Sequence, residues 1–348
     1  MNEKLKELYP QRETEANRDG IVAIEIEAEA YNEAFPIIDD WLVENDGSLR
    51  YFGMEFKSRR PVKETSLSEQ LDTLIKGVKN IKFVENSPRT SVHVHVNVLG
   101  LTPSEIWTAV TAGWLLEPAM FRMCAPKRSG NLFCLRLQDA KGLLQLVEQD
   151  IEQSMADTGT LPFNIFRSNA YRYANLNIAS VYKFGSLEVR ALHGTFDKDL
   201  IETWAKMCIA FVHRSKQYGT PEKLFDFVAN NGYDAFVKSV LGTDLMEKLP
   251  KISEQEYGDQ MERVLPMVLL CDWDKYAKHK WNKKKDAKIK KKTEEILNNV
   301  PRNVVLNREI REMDRARLRG HGADAIIVDE VREAVFDRAD PEFADDGI

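Results

Sequence analysis

Four short segments of the sequence place charged or polar side chains at every second position. They carry Glu25, Glu27 and Glu29, then Glu55, then His93, His95 and Asn97, and finally Glu188 and Arg190. In an extended strand, residues i and i+2 point to the same face and lie about 7 Å apart. If these strands are neighbours in one sheet, one face gathers several carboxylates, two imidazoles and a guanidinium.

That density of acidic groups predicts a divalent cation site. Carboxylates packed closely together repel one another and have raised pKa values unless a cation neutralises them. Carboxylate oxygens with an occasional imidazole are donors that Mg²⁺ or Mn²⁺ accepts in proteins. Three or more carboxylates with a histidine could hold two such ions, which then neutralise phosphate oxygens during phosphoryl transfer.

Each segment taken alone has a plainer interpretation. A strand of alternating isoleucine and glutamate is often the solvated face of a sheet, and Glu188 with Arg190 could be a salt-bridge pair across strands. His93 and His95 could be two zinc ligands of a hydrolase, with a glutamate as the third. The excess of carboxylates favours the harder ion, and the four segments together favour a site over four unrelated strands.

An enzyme with this sequence that used a nucleotide would have to hold the phosphates with arginines. The patterns GxxxxGK[ST] and GxGxxG are absent, which argues against a P-loop and a Rossmann-type cradle. An arginine fork grips phosphate oxygens in pairs and stays charged. The candidates are Arg122, Arg128, Arg167, Arg172 and Arg190. Any one of them could be a surface arginine, but Arg190 shares a strand face with Glu188.

Alternating strands and helices must position these groups. Residues 21–30 and 91–100 alternate apolar and polar side chains, as half-buried strands do. The pair Asp46-Gly47 predicts a hairpin turn, with Glu55 on the returning strand. Residues 174–192 contain two more alternating segments separated by Gly185, and in the first of them Asn175 and Asn177 share a face.

Helical patterns fill the intervals and the region that follows. They cover residues 66 to about 79, a segment beginning at Thr102, residues 138–157, and residues 199 to about 217, with helix dominating to about residue 276. Ser66 and Glu69 have the spacing of a capping box. Because the strands cluster between residues 20 and 195, we expect an α+β fold around a mostly antiparallel sheet.

The sequence suggests three regions. Residues 1–19 read as a helical lead-in, residues 20–280 as one catalytic domain, and residues 281–348 as a lysine-rich helical extension with an acidic tail. The basic run Lys275–Lys292 could be a solvated helical face, or it could contact nucleic acid or an acidic partner. Tyr276 and Trp281 interleave with its lysines, which would suit stacking on bases.

Composition narrows the class of protein. The 348 residues are 43% apolar and 30% charged with a net charge of −6, which argues against a globally basic nucleic-acid binder. No apolar run approaches 18 residues, so we expect no membrane span. The charged start lacks the apolar core of a secretory signal. The four cysteines form no CxxC pair, so we expect reduced thiols in a cytoplasmic protein.

Six motifs in this order resemble those of the amidoligase family of phages and bacterial gene clusters. They are IEIEAE (24–29), DGSL (46–49), GMEFKSRRP (53–61), HVHVNV (93–98), YRYANLN (171–177) and LEVRALHGTFD (187–197). That family is similar to glutamine synthetase among the carboxylate–amine ligases. The resemblance covers about residues 20–210 and implies a mostly antiparallel sheet with one polar catalytic face and helices on the other.

The resemblance also implies roles for individual residues. The implied metal ligands are Glu25, Glu27, Glu55, His93 and Glu188. The positions that face the nucleotide are matched by His95, Asn177 and Arg190. The catalytic positions are matched by Arg190 and Arg172. Arg128 joins the nucleotide-binding set from the arginine candidates above. The family often has glycine before the first ExE strand, where this chain has Ala23, and we expect little effect from that departure.

The activity implied by the resemblance is ATP- and Mg²⁺-dependent ligation, with Mn²⁺ as the other suitable ion. ATP would convert a carboxylate to an acyl phosphate, and an amine would displace phosphate to form an amide or isopeptide bond. Peptides, cell-wall amino groups, modified nucleobases and free amino acids are all compatible substrates, and a homo-oligomer is compatible with the fold. Two alternatives stay open: a metal-dependent hydrolase or other phosphoryl transferase on the same face, and a non-catalytic phage structural or binding protein with a relic site.

Overall fold

The polar segments all lie on one six-stranded antiparallel sheet. The computed structural model describes residues 4–8, 20–32, 36–85, 87–139, 142–147, 151 and 169–278. The strands are β1 (Val22–Ala30), β2 (Trp41–Asn45), β3 (Phe52–Ser58), β4 (Ser91–Asn97), β5 (Leu176–Asn177) and β6 (Ser186–His193). Their order across the sheet is β2-β3-β1-β4-β6-β5, and every neighbouring pair is antiparallel. The prediction of an α+β fold around an antiparallel sheet is confirmed.

Helices precede, separate and follow the strands along the chain, and they form the second layer of the fold. They are α1 (Leu5–Leu8), α2 (Leu67–Val78), α3 (Pro103–Phe121), α4 (Ala179–Phe184), α5 (Lys198–Arg214), α6 (Pro221–Asn231), α7 (Tyr233–Leu241), α8 (Thr243–Lys248), α9 (Glu254–Val268) and α10 (Trp273–Lys278). Short 3₁₀ turns cover Glu64–Ser66, Pro126–Arg128, Asn169–Tyr173 and Ser215–Tyr218. Residues 142–147 are also helical. None of the helices over the described ranges combines the length and apolar character that a membrane span needs.

The apolar back of the sheet forms the core. Val22, Ile24 and Ile26 on β1 are at most 1% exposed, and the valines of β4 are fully buried. β-branched residues suit this position because they pack well on a pleated surface. Helix α5 packs against β4, and α2 and α3 pack against α5. The alternation seen in the sequence therefore separates a buried apolar face from the polar one.

Helix α3 is the central support of this layer. It is buried on nearly all sides, and it also contacts α6 and α9. Thr102 and Glu105 form a capping box, in which each side chain accepts a hydrogen bond from the other residue's backbone N–H. This cap satisfies two backbone donors at the start of a buried helix, where water could not reach them.

The predicted hairpin is confirmed, since β2 and β3 pair antiparallel and residues 46–51 connect them. Two local predictions differ from the structure. Ser66 makes no capping hydrogen bond, because a 3₁₀ turn over Glu64–Ser66 leads directly into α2. The first segment before Gly185 is not one alternating strand, since only Leu176–Asn177 is extended and α4 follows. Gly185 does mark the turn, with a left-handed φ of 75°.

Several predicted regions fall outside the described residues. They are most of the lead-in, residues 140–141, 148–150 and 152–157 of the helix predicted over 138–157, Arg167, most of Lys275–Lys292, and the extension 281–348. Within the lead-in, Leu5 is fully buried, and its backbone N–H donates to the carbonyl of Leu101. A backbone bond from Lys6 to Leu99 adds to this contact. The described part of the lead-in is therefore tied to the end of β4.

Candidate functional site

Strand register brings the predicted polar groups together on one face. Glu25 lies opposite His93 on β4, and Glu27 lies opposite Glu55 on β3. Further along, Glu188 on β6 lies opposite His95 and also opposite Asn177 on β5. Directly opposite side chains have Cβ atoms about 5 Å apart. The pairing therefore converts four separate sequence patterns into one surface.

Glu25, Glu27 and His93 form the centre of this surface. One ligand atom from each of the three lies within 4.8 Å of the others. His93 is 1% exposed, and its Nδ1 is 2.9 Å from Glu25 Oε1. Ser91 joins them, since its hydroxyl donates to Glu27 and lies 2.7 Å from His93 Nε2. We call Glu25, Glu27 and His93 the carboxylate–imidazole cluster.

The surroundings of Glu25 and Glu188 keep these two carboxylates ionised. Burial opposes the ionisation of Glu25, but hydrogen bonds from His93 and His95 outweigh it and hold the pKa of Glu25 well below its ordinary value. Burial likewise opposes the ionisation of Glu188, and the positive charges of His95 and Arg190 lower its pKa. Ionised carboxylates beside a buried imidazole are suitable ligands for a cation.

Glu188 connects the cluster to Arg190 and Asn177. Its Oε1 accepts a hydrogen bond from Arg190 and lies 3.5 Å from His93 Nδ1. Its Oε2 accepts from Asn177 Nδ2 at 2.7 Å. Both carboxylate oxygens are thus occupied by donors. The structure places Glu188, Arg190 and Asn177 in one network at the edge of the cluster. The shared face of Glu188 and Arg190 was predicted from their spacing, and the position of Asn177 from the resemblance.

Glu55 contacts the cluster through Glu25 and is also paired with a lysine. Lys57 Nζ lies 2.5 Å from Glu55 Oε2 and 2.9 Å from Glu44 Oε2. Burial, together with the hydrogen bond and charge of Glu25, raises the pKa of Glu55 to about 8. A carboxyl beside another carboxyl has a raised pKa until a cation neutralises the pair. Glu55 thus lies on the predicted face, with Oε2 paired to Lys57 and its carboxyl hydrogen-bonded to Glu25.

His95 lies at the end of the polar face that is next to α4. Its Nδ1 lies 3.1 Å from Ser186 Oγ and 3.3 Å from Ser180 Oγ, and its Nε2 lies 3.8 Å from Glu25 Oε2. Burial works against protonation, yet the negative charges of Glu188 and Glu25 raise the pKa of His95. The half-exposed ring of Phe184 packs edge-on against the imidazole, 5.8 Å between centroids. This end offers an aromatic surface beside polar donors.

The other arginine candidates have different surroundings. Arg128 is 1% exposed and donates to the carbonyls of Arg190 and Ala191, so it holds the backbone of β6. Its Nη1 has no hydrogen-bond partner among the described groups. Arg172 is exposed, with its guanidinium 5.0 Å from the centre of the Tyr173 ring. Arg122 forms a bidentate pair with Glu256 at 2.6 and 2.7 Å.

Three residues that were predicted to line the site hydrogen-bond to neighbouring protein groups and do not line an open surface. Glu29 is 2% exposed and accepts the backbone N–H of Arg50 at 2.7 Å. Asn97 donates to the Gly20 carbonyl and accepts from the backbone of Leu99. Asn175 does not share the site with Asn177, because its Nδ2 donates to Glu117 on α3. That segment is too short as a strand to keep both side chains on one face.

Two polar residues of the face were missed from the sequence. Ser91 lies two residues before His93, so the same period-2 rule would have found it. His193 lies opposite Ser91, although counting by two from Glu188 and Arg190 leads to Leu192. The register of β4 and β6 shifts between Val92 and Val94, with one extra residue on β6. No pattern in the sequence marks that bulge.

Comparison with known protein families matches residues 10–212 to the family described as "Putative amidoligase enzyme". The match covers more than half of the chain and contains all six strands. The chain belongs to this family. Membership in the amidoligase family confirms the resemblance drawn from the motifs, and the family's description indicates an enzyme of ligase type. No curated protein matches the chain.

The donor set of the amidoligase face fits a divalent cation. Two carboxyl groups, of which Glu25 is kept ionised, and a buried imidazole supply oxygen and nitrogen ligand atoms within 4.8 Å of one another. This mixture suits Mg²⁺ or Mn²⁺ better than ions that prefer sulfur. Ser91 and Glu188 hydrogen-bond or face the same three groups and would orient them, as partners of metal ligands do.

Proposed function

We propose that this protein is an ATP- and Mg²⁺-dependent carboxylate–amine ligase that works through an acyl phosphate. The observation that carries the proposal is the carboxylate–imidazole cluster with Arg190 beside it on the same sheet face. Such a face pairs a cation site with a fixed positive group, which is what the transfer of a phosphoryl group requires. Membership in the amidoligase family supports the choice of reaction.

The proposed reaction has two steps. A carboxylate oxygen of the first substrate attacks the terminal phosphorus of ATP, and ADP leaves. The amine nitrogen of the second substrate then attacks the acyl carbon, the amine gives up a proton, and inorganic phosphate leaves as the amide bond forms. Activation is needed because a free carboxylate is a poor electrophile at neutral pH.

The residues of the face would divide this work. Glu25, Glu27 and His93 would hold the cation, with Glu188 as a further ligand or as an orienting partner. When bound, the cation neutralises phosphate oxygens and polarises the bond that breaks. Arg190 would contact the transferring phosphoryl group, in an orientation fixed by Glu188 at its guanidinium and by Arg128 at its carbonyl.

The nucleotide is best placed at the His95 end of the face. His95, Ser180 and Ser186 supply polar groups there, and Phe184 supplies an exposed ring on which a base could stack. Stacking of a base on an aromatic side chain contributes about 1–3 kcal/mol. Asn177, through Glu188, links this end to Arg190.

Calorimetric titration with ATP in the presence and absence of Mg²⁺ tests the proposal. We expect binding by the wild type that requires Mg²⁺ and that Arg190→Ala weakens by at least about 10-fold, since a hydrogen bond to a charged group contributes about 1.5–3 kcal/mol. Arg122→Ala removes a remote guanidinium paired with Glu256 and serves as the matched control. Equal binding by Arg190→Ala and the wild type would contradict the assignment of Arg190.

A trapping assay tests the reaction itself. Hydroxylamine intercepts an acyl phosphate as a hydroxamate, so the protein is incubated with MgATP, hydroxylamine and a panel of carboxylic acids and acidic peptides. The proposal predicts hydroxamate and ADP in equal amounts with the matching acid. Metal-dependent hydrolysis of phosphate esters without nucleotide binding would instead support a hydrolase on the same face.

A further inference from the structure

His193 faces the polar surface because of a β-bulge. Val94 pairs with Val189 and Val92 pairs with Leu192, so two steps along β4 correspond to three along β6. The extra residue reverses the alternation, and His193 rather than Leu192 comes to lie opposite Ser91. Ser91 is the residue whose hydroxyl donates to Glu27. A third imidazole therefore lies on the polar face next to Ser91, and the charged groups that act on it are Arg128 and Asp197.

The hydrogen bond at Nδ1 fixes which nitrogen of His193 carries the proton. The backbone N–H of Ala125 donates to His193 Nδ1 at 3.1 Å. A neutral imidazole that accepts at Nδ1 carries its proton on Nε2. Burial, followed by the positive charge of Arg128, lowers the pKa of His193 and favours this neutral form. Over the described residues the structure records no hydrogen bond at Nε2, and the side chain is half-buried.

Because of this tautomer, His193 and His93 are suited to different ligands. A metal ion needs a nitrogen lone pair, and in His193 the lone pair is engaged by Ala125. The Nε2–H is a neutral donor, which suits an anionic oxygen. Arg190 lies within the bulge and His193 follows it in the same strand, so β6 places two donors on the polar face.

We propose that the Nε2–H of His193 donates a hydrogen bond to an oxygen of the terminal phosphate of bound nucleotide, opposite the side that Arg190 contacts. The inference rests on the proposed function, because it requires the phosphate chain to reach the cluster. It adds a phosphate-binding residue that neither motif spacing nor the alternation of β6 indicates.

A purely structural role for His193 is the competing explanation, since accepting from Ala125 would also hold the 3₁₀ turn Pro126–Arg128 in place. Two substitutions separate the roles. His193→Asn keeps an acceptor near the position of Nδ1 but has no group at the position of Nε2. His193→Gln keeps an N–H donor near the position of Nε2 but loses the acceptor near Nδ1.

The test is calorimetric titration of the full chain with MgATP and with MgADP, alongside thermal unfolding of each variant. We expect His193→Asn to unfold like the wild type, to bind MgATP about 10- to 100-fold more weakly, and to bind MgADP unchanged, because the lost bond is to the terminal phosphate. We expect His193→Gln to retain most of the MgATP affinity.

Each outcome decides one claim. If the wild type binds MgATP and His193→Asn binds it equally well, the phosphate contact is overturned while the proposed function stands. If His193→Gln loses the affinity and the thermal stability that His193→Asn retains, His193 has only the structural role. If His193→Asn binds MgADP more weakly than the wild type by the same factor as MgATP, the contact is not to the terminal phosphate. If the wild type binds no MgATP, the proposed function and this inference fall together.

Discussion

The polar face of the sheet and the interior beside α3 both bury carboxyl groups, and they treat them in opposite ways. On the face, imidazoles and a guanidinium keep Glu25 and Glu188 ionised. In the interior, Glu117 is 2% exposed and accepts only from neutral donors, the backbone N–H of Leu137 at 2.9 Å and Asn175 Nδ2 at 3.1 Å. Burial there raises the pKa of Glu117 to about 7.

The difference shows what makes a buried acid usable for binding a cation. Burial alone favours the protonated form, so an isolated buried carboxyl becomes a hydrogen-bonding group of the core. Positive neighbours reverse this and leave a negative charge that a cation can compensate. The two regions are nevertheless adjacent, because Arg190 donates its backbone N–H to the carbonyl of Asn175. Substitutions can therefore test them in one protein.

The largest expected effect is on cation binding. The double substitution Glu25→Gln/Glu27→Gln removes two charges from the cluster, and we expect Mn²⁺ affinity, measured by electron paramagnetic resonance, to fall by more than about 100-fold. Changing residues that only orient ligands costs about 10- to 100-fold, so removing the ligands themselves should exceed that range. Glu117→Gln is the matched control and should leave Mn²⁺ binding unchanged. A loss in the control as large as in the double variant would erase the distinction between the two regions.

The next effect is on the pH dependence of stability. Between its ordinary pKa of 4.5 and its folded pKa of about 7, Glu117 keeps a proton that the unfolded chain has released. The contribution of Glu117 to the free energy of unfolding should therefore fall as pH rises through this window, by about 3 kcal/mol, and level off above it. Glu55, with a pKa of about 8, acts in the same sense up to that pH. The lowered pKa values of Glu25 and Glu188 act in the opposite sense, since their contribution is present above pH 4.5 and is lost on acidification.

Glu117→Gln should remove this loss of stability, because an amide does not ionise. Asn175 Oδ1 is buried without a hydrogen-bond partner, so rotation of the Asn175 amide would let it accept from the new glutamine. At pH 8 the variant should be more stable than the wild type in urea titrations, with Glu247→Gln, at an exposed site on α8, as the control. Parallel curves for Glu117→Gln and the wild type from pH 5 to 8 would show that Glu117 is ionised in the folded protein.

The smallest effect concerns the partner that orients the cluster. Ser91→Ala removes the hydroxyl shared by Glu27 and His93, and we expect Mn²⁺ affinity to fall by about 10- to 100-fold with little change in stability. Ser180→Ala removes a comparable hydroxyl from His95, outside the cluster, and should leave Mn²⁺ affinity unchanged. The same affinity in Ser91→Ala and wild type would mean that the ligands are held without Ser91.

The sequence was sufficient wherever strands are long and regular. Period-2 alternation in β1 and β4 fixed which side chains share a face, and register then placed Glu25 beside His93 as expected. It was insufficient where geometry departs from that period. Because of the bulge in β6, the alternation did not predict that His193 lies on the polar face. Because β5 is only two residues long, Asn175 lies off that face and donates to Glu117.

The motifs also did not predict which charged residues pair with one another. Lys57 lies two residues after Glu55 on the same face, a signal present in the sequence, and it neutralises the predicted metal ligand. Arg128 has the residue type of a phosphate ligand, yet it lies in the interior and holds the carbonyls of Arg190 and Ala191. Only the position of the 3₁₀ turn Pro126–Arg128 against β6 determines that role.

The proposed cation and nucleotide site can be located by anomalous diffraction from crystals grown with Mn²⁺ and a non-hydrolysable ATP analogue. We expect an anomalous peak in contact with Glu25, Glu27 and His93, with the terminal phosphate of the analogue between that ion and Arg190. Manganese bound elsewhere, or an analogue bound away from this sheet face at saturating concentration, would contradict this expectation.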